Sequence, residues 1–126
     1  MQNYFFIWIN GDYKKFLFTD IVYIESQKNH IRITTLKGRF TILTSMKKIE
    51  DILPKEQFCR IHRAYIVSLD QITCFNNYRV CICGKQLPIS EAQKKILLER
   101  VNTLKGEAKI ESRFPNNDSN NFHSLN

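Results

Sequence analysis

The sequence predicts a mainly β domain around a single core, and three observations predict it. Short apolar runs rich in Ile, Val, Phe and Tyr recur along the chain, separated by turn residues such as Asn10-Gly11, Lys37-Gly38 and Asn76-Asn77. Helical spacing of apolar residues appears in two places, 45–54 and from Ser90 onward. The chain has 126 residues and is 43% hydrophobic, enough for one domain and too little for two.

Tyr4 to Ile9 and Tyr13 to Phe18 flank Asn10-Gly11-Asp12, and Asn-Gly supplies the positive φ angles of a tight hairpin turn. Thr19-Asp20 ends that run. Ile21 to Ser26 and Ile31 to Leu36 read as strands around Gln27-Lys28-Asn29-His30, a polar loop with a cation, an imidazole and neither Gly nor Pro. A plain reversal would use Gly or Asn-Gly, so this loop carries chemistry beyond turning the chain. Lys37-Gly38 turns into a strand from Arg39 to Leu43, where Phe40 and Ile42 share a face with Thr44, and Thr41 and Leu43 share the other. Met46, Ile49, Ile52 and Leu53 then fall at helical spacing, with Ser45 (or Thr44) able to cap and Pro54 to stop the helix.

Phe58-Cys59-Arg60-Ile61-His62-Arg63-Ala64-Tyr65-Ile66-Val67-Ser68 sets Arg60, His62 and Arg63 among large apolar residues. Burying each of the latter gains roughly 1.5–3 kcal/mol, so the polar side chains sit on anchored backbone that can hold a cation against a partner. Ile72 to Phe75 and Tyr78 to Cys83 form a hairpin through Asn76-Asn77, and Gly84-Lys85 turns into Gln86 to Ile89. From Ser90, a cap, the pattern is helical: Ile96, Leu97, Val101 and Leu104 share a face, and Glu91-Ala92-Gln93 leave N–H groups that suit a phosphate. Beyond Leu104 apolar residues thin out, and 105–126 reads as a polar, disordered tail.

Net charge is +7, and residues 1–104 hold sixteen Lys and Arg against nine Asp and Glu, so the excess belongs to the folded part. A basic folded domain favours a polyanion. Acidic residues are scattered singly, the three histidines have no metal spacing, and four glycines make no phosphate cradle; no catalysis, metal or cofactor is implied. Cys59, Cys74, Cys81 and Cys83 lack zinc or disulfide spacing and read as small buried hydrophobes in a reducing compartment. With no secretory signal at Met1-Gln2-Asn3-Tyr4 and no membrane-spanning run, the chain reads as cytoplasmic, without a membrane partner.

A helix-turn-helix would need paired helices mid-chain, where this sequence has strands. The candidates for DNA contact are therefore the loop from Gln27 to His30, Arg63 with its neighbours, and Gln93-Lys94-Lys95 at the start of the last helix. Each has an ordinary alternative: a solvated turn, a structural His62, a wet helical face.

Ile21-Val22-Tyr23-Ile24-Glu25-Ser26 with Asn29-His30, the Phe58–Ser68 stretch, and Leu87-Pro88-Ile89-Ser90 together resemble the LytTR DNA-binding domain of bacterial transcription regulators. The resemblance implies an elongated antiparallel β fold whose loops, not a helix, enter successive major grooves of double-stranded DNA at paired promoter repeats. It implies His30 and Arg63 as base-contacting residues and Lys28 and Lys95 as phosphate contacts, with Asn29, Gln93 and Lys94 supporting. Arg63 can grip guanine O6 and N7, and His30 can donate to a base edge. The family's third base-reading position, often arginine, falls on Ala92, and Ser68 replaces a frequent asparagine.

The division that follows is an N-terminal hairpin extension over 1–19, a LytTR-like domain over 20–104 and the tail over 105–126. Family members commonly carry a phosphoacceptor receiver domain, for which 126 residues have no room; the chain reads either as a stand-alone regulator or as a piece of a longer one. A second copy on the same operator is the expected protein partner. Two other functions fit the charge: an RNA- or single-strand-binding β domain, which needs exposed aromatics on a sheet, and a protein-interaction or ligand-sensing module, which needs a deep apolar pocket. Phe and Tyr fall mainly where a core needs them, which disfavours the first.

Overall fold

A computed structural model describes residues 2–111. Its strands are β1 (Tyr4–Ile9), β2 (Asp12–Leu17), β3 (Ile21–Gln27), β4 (His30–Thr35), β5 (Gly38–Ile42), β6 (Phe58–His62), β7 (Tyr65–Ser68), β8 (Ile72–Phe75), β9 (Arg79–Ile82) and β10 (Lys85–Pro88). Helix α1 (Met46–Ile52) lies mid-chain and α2 (Glu91–Arg100) follows the last strand. The fold is mainly β and antiparallel, with the two helices where their apolar spacing puts them.

A central five-stranded sheet has the order β5-β4-β3-β7-β6, and β1-β2 and β10-β9-β8 form separate sheets. At β3, β6 and β7 both faces of the central sheet are buried, because these strands send apolar side chains both ways. One face carries Ile21, Ile24, Ile31, Ile33, Phe58 and Ile66, packed with Phe18 and with Met46, Ile49 and Leu53 of α1 and its end. Phe5 and Ile7 of the first hairpin close over that cluster. The other face carries Val22, Tyr23, Cys59, Ile61 and Val67 against Val80, Ile82, Leu87 and Leu97, from the third sheet and α2. A register shift between Ile21 and Tyr23 explains how neighbours Val22 and Tyr23 serve one face while Ile21 and Ile24 serve the other.

The local devices are those the residues favour. Asn10 (φ 51°) and Gly11 (φ 93°) make the first hairpin turn. Ser45 Oγ accepts from Lys48 N at 3.2 Å, and Ser90 Oγ from Gln93 N at 3.3 Å, capping both helices.

Several expectations need correction. Cys83 (φ 51°) leaves its strand and pairs with Gly84 (φ 75°) as the β9–β10 turn, one residue earlier than the Gly84-Lys85 turn expected. Similarly Thr35 pairs with Gly38, so Leu36-Lys37 make the β4–β5 turn. Helix α2 ends at Arg100 and Val101 is extended, which leaves Leu104 98% exposed instead of on the packed face. Ile52 is 51% exposed at the end of α1, leaving Met46, Ile49 and Leu53 to fill the core. Of the cysteines, Cys59 alone is buried; Cys74 and Cys83 are exposed and Cys81 is intermediate. The outer face of the first hairpin exposes Phe6, Trp8 and Tyr13, aromatics the core does not use. Residues 105–111 carry no regular structure, and the rest of the expected tail, 112–126, lies outside the described residues.

Candidate nucleic-acid interface

Strand β3 runs toward one end of the central sheet and β7 starts from that end, with Glu25 opposite Tyr65. The β3–β4 and β6–β7 turns therefore emerge side by side. Ser26 N donates to Ala64 O at 2.9 Å, which ties one turn to the other. His30 and Arg63 thus belong to adjacent turns on a common edge, although β4 and β5, α1 and β6 separate them in the chain.

Gln27 pairs with His30 on the last rung of the β3–β4 ladder, so the expected four-residue loop is a two-residue turn of Lys28 and Asn29. Lys28 has a φ of 49°. A side chain bearing a Cβ rarely sits there, so the turn holds its lysine in a strained backbone conformation. Lys28 and Asn29 are exposed and His30 is partly so. Among the described residues, none of these three side chains is engaged in a hydrogen bond or ion pair.

Arg63 and Ala64 form the second turn, organised from within. His62 Nδ1 accepts from Ala64 N at 3.1 Å, so His62 is a structural histidine of the turn. Arg60 faces α1 and not solvent, contrary to the expectation that it is offered to a partner. Its guanidinium donates to Arg63 O at 2.6 Å and to Glu50 Oε1 at 2.9 Å, with a long third contact to His62 O at 3.4 Å. The parity of β6 explains this: Arg60 lies on the Phe58 side, facing α1 and Glu50, while Cys59 and Ile61 face the other way. The consequence is that Arg63 has its backbone clamped and its side chain exposed, with no partner of its own among the described residues.

The start of α2 joins the same edge because Ser90 N donates to Ile61 O at 3.0 Å, fixing the capped helix to the end of β6. Gln93 is intermediate and Lys95 exposed. Lys94 is less free than expected: its Nζ donates to Asn77 Oδ1 at 2.7 Å, in the β8–β9 loop. Ala92 is exposed on the first turn and offers no donor. Between the β6–β7 turn and α2 lies a cleft of about 580 Å³ lined by Glu50, Arg60, His62, Arg63, Gln93 and Arg100 among others. Its charged lining is three arginines against one glutamate. Arg100 also braces this region, donating to Phe58 O at 2.6 Å and Lys55 O at 3.0 Å.

The residues that sequence reasoning missed are Glu50 and Arg100, and the holding role of Arg60. Arg60 shares strand parity with Phe58, a signal that it faces inward; nothing local marks Glu50 or Arg100.

A model of the LytTr DNA-binding domain matches residues 11–102. The sensory transduction protein LytT of Bacillus subtilis (strain 168) is 29% identical over 84 residues, 62% of this chain and 35% of that protein. The match spans about a third of that relative's length. In fold, the chain is similar to the LytTr DNA-binding domain of a Bacillus cereus protein described as a methyl-accepting/DNA response regulator, with a TM-score of 0.66 and 18% identity, covering 79% of this chain and 97% of that one. The family match defines the class: a DNA-binding domain. The chain belongs to the LytTR family. Among the described residues, no helix is long and apolar enough to cross a membrane.

Proposed function

We propose that this chain binds double-stranded DNA sequence-specifically as a bacterial transcription regulator in the cytoplasm. His30 and Arg63 contact bases from the two adjoining turns, in major grooves, and two copies of the chain occupy paired repeats of one promoter. Lys28 and Lys95 meet the phosphates on either side, with Asn29, Gln93 and Lys94 supporting. The carrying observation is that the β3–β4 and β6–β7 turns are bonded to each other through Ser26 and Ala64, presenting an imidazole and a guanidinium from one rigid edge. In this reading residues 20–104 form the DNA-binding unit, with 1–19 a hairpin extension packed on it and 105–126 a tail.

Selection from random duplex DNA, followed by motif analysis, tests the reading. A short motif recurring as a pair at fixed spacing is the expected result. Recovery of no motif would contradict it.

One observation favours a second reading. Phe6, Trp8 and Tyr13 are 49%, 59% and 69% exposed on one face of the first hairpin, and Lys15 Nζ lies 4.7 Å from the Tyr4 ring. Aromatics interleaved with lysine on a sheet are how proteins stack single-stranded bases. Competition separates the two: under the first reading, single-stranded oligonucleotides fail to displace the selected duplex, and Trp8→Ala leaves duplex affinity unchanged.

A further inference from the structure

The third sheet carries chemistry that DNA binding does not use. Its β8–β9 ladder sets Cys74 directly opposite Cys81, with Phe75 opposite Val80 on the next rung toward the turn. Val80 and Ile82 are fully buried, so Cys81, between them, points to the outer face, and Cys74 across from it is exposed. Directly opposed residues of antiparallel strands have Cα atoms about 4.5–5.5 Å apart, inside the range of about 4.4–6.8 Å that a disulfide spans. The spacing of the cysteines in the chain hides this, because it is a register shift between Ile72 and Cys74 that brings these two into line.

The surroundings favour a reactive pair. Arg79 places a guanidinium nitrogen 2.9 Å from Cys81 Sγ. The Cys81 thiol and the neighbouring cation hold Cys74 below its ordinary pKa, while Cys81 is raised by the same partnership. Cys74 is the more accessible of the two, which makes it the sulfur that an outside disulfide reaches first.

We propose that Cys74 and Cys81 are a redox-active pair that closes to a reversible intramolecular disulfide on reaction with a low-molecular-weight disulfide such as oxidised glutathione. The Cys74 thiolate attacks one glutathione sulfur, the glutathione S–S bond breaks, and one glutathione thiolate leaves. Cys81 sulfur then attacks Cys74 Sγ in the mixed disulfide and expels the second glutathione. Two protein thiols are oxidised, one glutathione disulfide is reduced to two glutathione thiols, and the two thiol protons pass to the departing glutathione. The new bond would lie on the strand pair whose loop residue Asn77 holds Lys94, linking it to the candidate DNA edge. That link is to the proposed function, but the disulfide itself does not depend on it.

The test uses the full chain, reduced and then equilibrated in glutathione buffers of graded potential, alkylated, and mapped by mass spectrometry. The expected result is joint loss of Cys74 and Cys81 alkylation, recovery of a peptide linking them, a monomeric product, and reversal by dithiothreitol. Cys59, which is buried, serves as the internal standard that stays reduced. Cys81→Ser is expected to stop at a stable glutathione adduct on Cys74. Accumulation of that adduct in the unaltered chain, or linkage through Cys83 between chains, would overturn the proposal. Cys81→Ser changes a half-buried residue on the outer face of the third sheet, and circular dichroism verifies its folding.

Discussion

Replacing Arg60 by alanine tests whether the Arg63 turn is held in place before DNA arrives. The substitution removes a 2.6 Å charge-assisted bond to Arg63 O and a 2.9 Å ion pair with Glu50. A hydrogen bond from a charged donor contributes about 1.5–3 kcal/mol, and a partly exposed ion pair about 0.2–1 kcal/mol. The Arg60 and Glu50 side chains are 26% and 37% exposed, so the lower halves of both ranges apply and the loss is about 2 kcal/mol of stability. The part that matters for binding is the bond to the turn: releasing a carbonyl held at about 1.5 kcal/mol lowers the population of the competent turn about tenfold. Dissociation constants from fluorescence anisotropy on a selected duplex should therefore rise about tenfold, with urea unfolding run in parallel. Arg60→Lys should fare little better, since an ammonium cannot fork between Glu50 and a carbonyl. Salt dependence separates holding from touching: a phosphate contact by Arg60 itself would reduce the log–log slope by about 0.9, whereas a holding role leaves it intact. Unchanged affinity, or a lowered slope, would refute the clamp.

Three further outcomes follow from the same geometry. Lys95→Ala should weaken binding to all duplexes alike and lower the salt slope by about 0.9, measured by titration at several salt concentrations. Lys28→Gly should retain about 1 kcal/mol more stability in urea than Lys28→Ala, because glycine accepts the φ of 49° without strain, while both weaken DNA binding equally. Burial pushes the Cys59 thiol above its ordinary 9.0, opposed by Arg100 and reinforced by Glu50. The unfolded chain therefore deprotonates Cys59 first: its contribution to stability is whole below 9.0 and is lost as pH rises through the folded value. Urea midpoints at about pH 8 and about pH 10 should converge more closely in Cys59→Ala than in the unaltered chain.

What could be read from residues alone was what short-range physics decides. Asn10-Gly11 demands a tight hairpin because few other pairs accept two positive φ angles. Ser45 and Ser90 precede helical spacing and cap it. The Phe58–Ser68 stretch is legible because its apolar residues must be buried, which leaves Arg63 exposed at the turn. What stayed hidden depends on contacts between distant segments. The union of the two turns requires β7 to lie beside β3. Glu50 gains its role only when α1 settles over β6, and Arg60 turns inward to meet it. Cys74 and Cys81 oppose each other through a register shift that periodicity cannot display. Leu104 satisfies helical spacing, yet α2 has already ended at Arg100.

The central claim is that neighbouring bends of one stiff sheet read the same duplex. Its most direct test is a set of binding isotherms on every single-base variant of the selected site, for the unaltered chain, His30→Ala and Arg63→Ala. The account predicts that Arg63→Ala costs about 1–3 kcal/mol on the preferred site and flattens preference at one base pair, and that His30→Ala does so at a different one. Base preferences identical in all three proteins would contradict it.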